Sequence, residues 1–586
     1  MKHKSFTPLL LALLLLTAGL VLAPGIAHAQ EQQTFTRADT LRGSITPQRA
    51  WWEVVHYDLN VNVQPYDTLI TGFNRITYRV ADTVRAMQID LQEPLQVDRI
   101  TQDGEPLAYN RQGSAFFVQM PQDLQVGDLH TVTVYYQGAP RIAPNPPWEG
   151  GFIWARDEQA RPWIATANQG LGASAWWPTK DHQSAEPDSM RISITVPQPL
   201  INVSNGRLTG KQQNEDYTTT WTWKVENPIN NYNVAVNAGN YVNFTDTWAG
   251  ARDTLDLSYW VLDYNLEKAK SQFQEVKPMM SCFEEWFGPY PFYEDGFKMV
   301  ETPHLGMEHQ SAIAYGNDYQ MGYNGTDLSG TGLGMKFDFI IIHEAAHEWW
   351  GNSVTSRDIA DMWIHESFAN YAENLYVGCR WGENAGADYV VGTRSRILNN
   401  EPIIGTYGVN DKGSSDMYYK GGNMLHMIRQ LVDDDSLWKS TLRGLQEEFR
   451  HRTVTTGQVE SYIDERTAVD LEPIFDQYLR HTDIPTLQYY LDGGRLYYRW
   501  KADVEGFNMP VRMRFCQAGF CRVQPTTGEW RSIPTDLEEP GQFEMDRNWY
   551  VRLQHAPPDA ELGPEEVAAA AEAGEATMVC SCEEED

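Results

Sequence analysis

The stretch IIIHEAAHEWWGN, Ile340 to Asn352, sets two histidines four residues apart with a glutamate directly after the first. On a helix, residues i and i+4 share one face, so His343 and His347 can present both imidazoles to one point. Glu344 lies about 100° around the helix, within reach of a water at that point but outside ligating position. The preceding FDFIII supplies an apolar run that buries the segment, and two buried histidines without a partner would be costly. A bare His-Glu-x-x-His match also arises in unrelated chains, so the surrounding sequence has to decide.

Catalytic zinc takes three protein ligands and leaves one position for water. Downstream, DMWIHESFANYAENLY carries Glu366 inside a helical pattern, with Trp363, Phe368, Tyr371 and Leu375 available for packing. Residues 348–365, eighteen in number, separate His347 from Glu366. This spacing resembles the zinc signature of the M1 family of gluzincin aminopeptidases, which carry a motif like NEGFASY where this chain has HESFANY. Further segments follow in the family's order. LGMEHQ (305–310) resembles its Gly-Ala-Met-Glu-Asn motif and puts Glu308 at the glutamate, beside Gly306 and Met307. YYKGG (418–422) resembles its Tyr-x-Lys-Gly segment and puts Tyr418 at the catalytic tyrosine, although Tyr419 leaves the register open by one. NQGLGASAWWPTKD (168–181) looks like its substrate-pocket segment and puts Gln169 at its glutamine, and PINNYNVAVNAGNY resembles the close of its N-terminal domain. The resemblance covers roughly residues 40–487 well and the later β segment more loosely.

The resemblance implies one Zn²⁺ held by His343, His347 and Glu366, with Glu344 as general base and Tyr418 stabilising the oxyanion. Glu308 would bind the free α-ammonium of a peptide, with Gln169, Gly306 and Met307 completing the substrate site. Asn370, one turn beyond Glu366, either supports the metal ligands or faces solvent. Departures are Leu305 and His309 at the ends of the glutamate motif, and Leu171-Gly172 where the family has Glu-Pro. No counterpart of the family's long C-terminal helical domain follows Leu553, which implies a short form whose cleft is more open or closed by another subunit. Two other readings compete with a zinc aminopeptidase. A thermolysin-like endopeptidase would not need Glu308, and a catalytically silent binding protein would not need Glu344 or Tyr418.

The 586 residues are too many for a single core. The expected fold is multidomain α+β: an N-terminal β-sheet saddle domain (30–241), a thermolysin-like α-rich catalytic domain (242–484), and a small C-terminal β-sandwich (485–556). Alternating strands such as HYDLNVNV and TTTWTWKV mark the first, long helical patterns the second, and the Asp-Gly-Gly hairpin of LQYYLDGGRLYYRW the third. NLEKAKSQFQEVKPMMSCFEEWFG reads as one long helix, GFKMVETP as an edge strand, and 456–480 as a single helix.

Residues 1–29 have the basic start, apolar run and Ala27-His28-Ala29 site of a secretory signal, so export to the periplasm or the outside is expected. No later stretch resembles a membrane span. The Ala/Glu-rich residues 557–586 form an acidic tail. With 46 basic against 79 acidic residues, a net of -33, a nucleic-acid partner is disfavoured. The acidity reads as halophile-type surface solvation or as an acidic exoprotein, and the scatter of Asp and Glu along the chain favours the first. Cys516 and Cys521 flank a turn and could pair, whereas Cys282 and Cys379 read as buried free thiols.

Overall fold

The computed structural model describes residues 34–516, 519–557 and 579–580. The expected signal segment and almost all of the acidic tail lie outside the described residues. The N-terminal third is built from β-sheet. Strand Trp52–Gln64 alternates between buried and more open positions, as the period of HYDLNVNV requires. It pairs antiparallel with Leu69–Val80 and parallel with Ser189–Pro197 inside an eight-stranded sheet. A four-stranded sheet of Gly151–Arg156, Pro162–Ala167, Ile201–Val203 and Asn237–Gly239 packs through Ile153, Ala165 and Ala167 against Met307 and Ala314. Tyr57, Ile76, Trp177 and Ile192 are among the fully buried residues of this core.

The next segment opens with strands Tyr241–Ala249 and Thr254–Leu262 of a five-stranded sheet. Phe297–Glu301, read from sequence as an edge strand, is central to that sheet. It runs parallel to Thr254–Leu262 on one side and to Ile313–Tyr315 on the other, and all five of its residues are buried. Buried parallel strands carry continuous apolar runs, which is what FKMVE approximates. The outermost strand is Gly306–Met307, paired antiparallel with Ile313–Tyr315.

Helices follow. The long helix expected over 265–288 is interrupted, running as Leu266–Gln272, a 3-10 turn at Phe273–Glu275, and Val276–Phe287. Pro278 sits in the first turn of the last piece, where its missing N–H costs nothing, and it could not have continued a helix from before. Helix α1 (Phe339–Ala346) starts at Asp338, whose side chain accepts from the Ile340 N–H, and buries Ile340, Ile341 and Ile342. Helix α2 (Trp363–Trp381) packs against α1, and α3 (Tyr419–Val432) against α2. The 456–480 stretch is two helices, Thr456–Thr467 and Glu472–Arg480, separated where Ala468 turns left-handed at φ 53°.

Two four-stranded sheets close the described chain. One holds the Thr486–Asp492/Arg495–Lys501 hairpin, and both contribute Leu487, Tyr498, Val511 and Val523 to a shared core. The cysteine expectations are corrected here. Cys282 and Cys379 form a disulfide across 97 positions, joining Val276–Phe287 to the far end of α2. Cys516 is a free thiol and does not pair with Cys521, which is itself disulfide-bonded. The hairpin register explains this: Cys521 faces Met513, and Cys516 lies beyond the last rung, Arg514–Phe520.

Candidate active site

His343 and His347 project from α1 and Glu366 from the first turns of α2. The two histidine Nε2 atoms are 3.3 Å apart, and Glu366 Oε2 is 3.5 Å from each. The outer nitrogens are both committed. His343 Nδ1 donates to Glu373 Oε1 at 2.8 Å, and His347 Nδ1 donates to the Trp350 carbonyl at 2.9 Å. Since a carboxylate and a carbonyl can only accept, each ring keeps its Nε2 lone pair pointing at the common centre. A tetrahedral ion with ligand bonds of about 2.1 Å requires ligand-to-ligand edges of about 3.4 Å, so these three atoms already occupy three corners. Glu366 Oε2 is also buried without a hydrogen-bond partner, an arrangement that is costly unless something positive faces it. The donor set fits one zinc ion.

Glu344 projects from the same helix toward the Gly306–Met307 strand. A Cβ on Gly306 would come within 2.6 Å of Glu344 Oε1, so that position has to be glycine for the carboxylate to occupy its place. Burial, reinforced by Glu308 and Glu366 and opposed by His343 and His347, pushes the Glu344 carboxyl up to about 7. Burial also disfavours ionisation of Glu366, but His347 and His343 outweigh it and hold that carboxyl well below the usual range. Two carboxylates within one site are thus separated in basicity by their surroundings, the condition under which one ligates and the other carries a proton.

Glu308 is buried, and its Oε1 accepts from Gln169 Nε2 at 2.8 Å and from the Tyr232 hydroxyl at 2.9 Å. Gln169 Nε2 also donates to Glu366 Oε1 at 2.9 Å, tying the N-terminal segment to the metal donors. The Tyr418 ring lies 6.1 Å from that of His343. Burial, then the charges of Glu366 and Glu308, keep its hydroxyl protonated far above the ordinary phenol range, so it is a donor at any working pH. Tyr419 lines the same cavity as Tyr418, and its hydroxyl pKa is raised first by burial and then by the charge of Glu373.

Nine of the residues singled out from the sequence line one cavity of about 460 Å³ between the N-terminal sheets and the helices: His343, Glu344, His347, Glu366, Tyr418, Glu308, Gln169, Gly306 and Met307. Asn370 is buried rather than solvated, and its Nδ2 donates to Glu373 at 3.2 Å. Glu373 itself was missed. It holds His343 and accepts from the Tyr389 hydroxyl at 2.7 Å, and its place two turns after Glu366 on the same helical face was a usable signal. Tyr232, from a 3-10 turn in the N-terminal segment, had no such signal.

Residues 271–478 match the model of the peptidase family M1 domain. The chain carries an M1 peptidase domain. Human glutamyl aminopeptidase is 21% identical over 466 residues, 74% of this chain but 47% of that protein. Aminopeptidase N of Lactobacillus helveticus is 29% identical over 217 residues, 33% of this chain and 25% of its own length. Leukotriene A-4 hydrolase of Xenopus laevis is 20% identical over 440 residues, 70% of this chain and 68% of that protein. The chain therefore spans about half or less of the length of the first two relatives. The crystal structure of the M1 zinc metallopeptidase from Deinococcus radiodurans superposes with a TM-score of 0.64 at 21% identity, covering 74% of this chain and 94% of that one. A mutant of the same enzyme bound to the substrate Tyr-Ser-Ala gives 0.64 at 20%, covering 75% and 97%. These likenesses establish that the M1 fold extends well beyond residues 271–478, over about three quarters of the chain.

Proposed function

We propose that the protein is an exported zinc aminopeptidase that removes the N-terminal residue from peptides. The observation that carries this reading is Glu308, a buried carboxylate pinned by Gln169 and Tyr232 beside the His-His-Glu donor set. A peptide's free α-ammonium is the natural partner of such a group, since a charge-assisted hydrogen bond there is strong and directional. An endopeptidase would have no use for it.

His343, His347 and Glu366 would hold one zinc ion, which when bound acidifies a water and polarises the scissile carbonyl. Glu344 takes the proton of the attacking water and delivers it to the leaving amine, a task suited to a carboxyl near 7. Tyr418 donates to the oxygen on which negative charge develops. Gly306–Met307 is an outermost strand, so its main chain can pair with an extended peptide. Glu373 and the Trp350 carbonyl hold the two imidazoles in the ligating tautomer. The division at 241/242 and 484/485 is proposed as the domain organisation, with the cleft between the first two domains. Export is supported by the leader-like residues 1–29 and by the Cys282–Cys379 disulfide, which persists in oxidising compartments.

The test is hydrolysis of matched free-amino and N-acetylated peptides, with and without a zinc chelator. Chelator-sensitive cleavage confined to free-amino peptides is expected. Equal cleavage of acetylated peptides would favour the endopeptidase, and no cleavage by the zinc-loaded protein would leave only a binding role.

A further inference from the structure

Gln169 sits on a tight turn over residues 168–172. The Leu171 N–H donates to the Gln169 carbonyl and the Gly172 N–H to the Asn168 carbonyl, each at 2.8 Å. A Cβ on Gly172, whose φ is 95°, would fall on Arg42 Nη2 and Asp181 Oδ2, so an ion pair lies directly against the back of this turn. In that pair Arg42 Nη1 is 3.1 Å from Asp181 Oδ1 and donates to the Asp181 carbonyl at 2.7 Å. Asp181 Oδ2 accepts from the Ser174 N–H at 3.1 Å and also from the Ser174 hydroxyl. The Asp181 side chain is 5% exposed, and a carboxylate so buried keeps its place only with donors around it.

Arg42 lies in the last turn of the short helix Arg37–Gly43, which Thr36 and Asp39 cap reciprocally. The fully buried Arg49 fixes the chain that follows. Its Nη1 donates to the Arg42 and Ser44 carbonyls at 3.2 and 2.9 Å, and its Nη2 to Asp90 Oδ2 at 2.7 Å and the Asp181 carbonyl at 3.1 Å. The helix end also meets the catalytic half of the chain. A Cβ on Gly43 would fall on the backbone of Val409, and the next residue, Asn410, donates from Nδ2 to the Gly170 carbonyl at 3.1 Å. One short helix therefore backs the Gln169 turn twice, through the Arg42–Asp181 pair and through the loop that carries Asn410.

What the turn presents is exacting. Gln169 Nε2 donates to Glu308 Oε1 at 2.8 Å and to Glu366 Oε1 at 2.9 Å, so both hydrogens of one amide nitrogen are committed to two carboxylates. Hydrogen bonds weaken steeply with distance and angle, so a small shift of the turn breaks at least one of them. We propose that Arg42 is a positioning residue of the amino anchor: with Asp181 it braces the Gln169 turn, and through Gln169 it sets Glu308 for the substrate's α-ammonium. This rests on the aminopeptidase reading, which gives Glu308 its ligand. Arg42 touches neither the peptide nor the metal donors, and it acts only through the placement of that turn.

The experiment compares the zinc-loaded full chain with Arg42→Gln, Arg42→Lys, Asn410→Ala and Arg37→Ala. It reads kcat and KM for free-amino peptides, zinc content, and hydrogen exchange over residues 168–176. Arg42→Gln should raise KM about five- to tenfold, leave kcat within about twofold and zinc intact, and speed exchange in that segment about tenfold. Arg42→Lys should recover part of the loss, because an ammonium keeps the charge but not the planar fork. Asn410→Ala, acting from the other side of the turn, should move KM and exchange the same way by about two- to threefold, which keeps the test open should Arg42→Gln not fold. Arg37→Ala serves as the control, since that guanidinium bonds Gln112 at the surface, and it should change neither. Unchanged KM and exchange in a folded Arg42→Gln, or in Asn410→Ala, would overturn the proposal. So would an Arg42→Gln that loses kcat and zinc together, or an Arg37→Ala that matches it, because Arg42 would then support the fold alone. Faster exchange in Arg42→Gln beside a wild type that cleaves N-acetylated peptides equally well would count against the aminopeptidase reading and leave the hold of Arg42 on the turn standing.

Discussion

Glu373 touches no substrate, yet the affinity for zinc should depend on it. Its side chain is fully buried, and Oε1 accepts from His343 Nδ1 at 2.8 Å while Oε2 accepts from Tyr389 at 2.7 Å. The substitution Glu373→Gln keeps the volume and leaves one oxygen for His343, but replaces a charged acceptor with a neutral one. Hydrogen bonds to charged groups contribute about 1.5–3 kcal/mol against about 0.5–1.5 for neutral pairs, so the change should cost about 1–2 kcal/mol. Supporting partners of metal ligands cost 10- to 100-fold in affinity when lost, and each tenfold is about 1.4 kcal/mol. We therefore expect zinc to bind about 10- to 30-fold more weakly. Competition against a chromophoric chelator measures this directly, with a thermal melt to establish that the variant is folded. At saturating zinc the KM for peptides should stay near wild type. An unchanged zinc affinity in a folded variant would refute the reasoning, because His343 would then owe its basicity and orientation to something else.

Glu308→Ala should raise KM for free-amino peptides about 10- to 100-fold with zinc content intact, and loss of zinc would mean that its loop serves the metal instead. The Cys282–Cys379 bond closes a loop of about 97 residues, for which the chain-entropy estimate is about 4–5 kcal/mol. Replacing both cysteines with alanine should lower the urea midpoint by a corresponding amount, and an unchanged midpoint would contradict a stabilising role. Asp338 caps α1, and burial, against hydrogen bonds from Tyr315, Gln272 and Asn317, pushes its carboxyl up to about 6. The folded state then holds a proton that the unfolded chain has released, so stability should fall as pH rises from about 4 to 6, by at most about 3 kcal/mol. Asp338→Asn lacks that proton, so its stability relative to wild type should rise across the same window, and parallel curves would count against the buried carboxyl.

The zinc donors were legible because helical periodicity is local. His343 and His347 fall one turn apart on α1, and the packing pattern around Glu366 marks a second helix. The motif order then placed Glu308, Tyr418 and Gln169 around the same centre. What could not be read depended on neighbours distant in sequence. Phe297–Glu301 is central only because Ile313–Tyr315 and Thr254–Leu262 flank it. The disulfide joins helices 97 positions apart, with no dense cysteine pattern to announce it. Tyr232 reaches Glu308 from 76 positions away. The Cys516–Cys521 expectation failed on a detail of register, two rungs of a hairpin, that turn spacing alone does not set. Pro278 and Ala468 divided helices whose apolar spacing ran on across the breaks.

Anomalous diffraction at the zinc edge, from crystals of the full chain grown with zinc, bears most directly on the central claim. A single strong site is expected about 2.1 Å from His343 Nε2, His347 Nε2 and Glu366 Oε2, with a fourth corner open toward Glu344. A zinc peak held by other residues, or one that leaves Glu366 unligated, would contradict it.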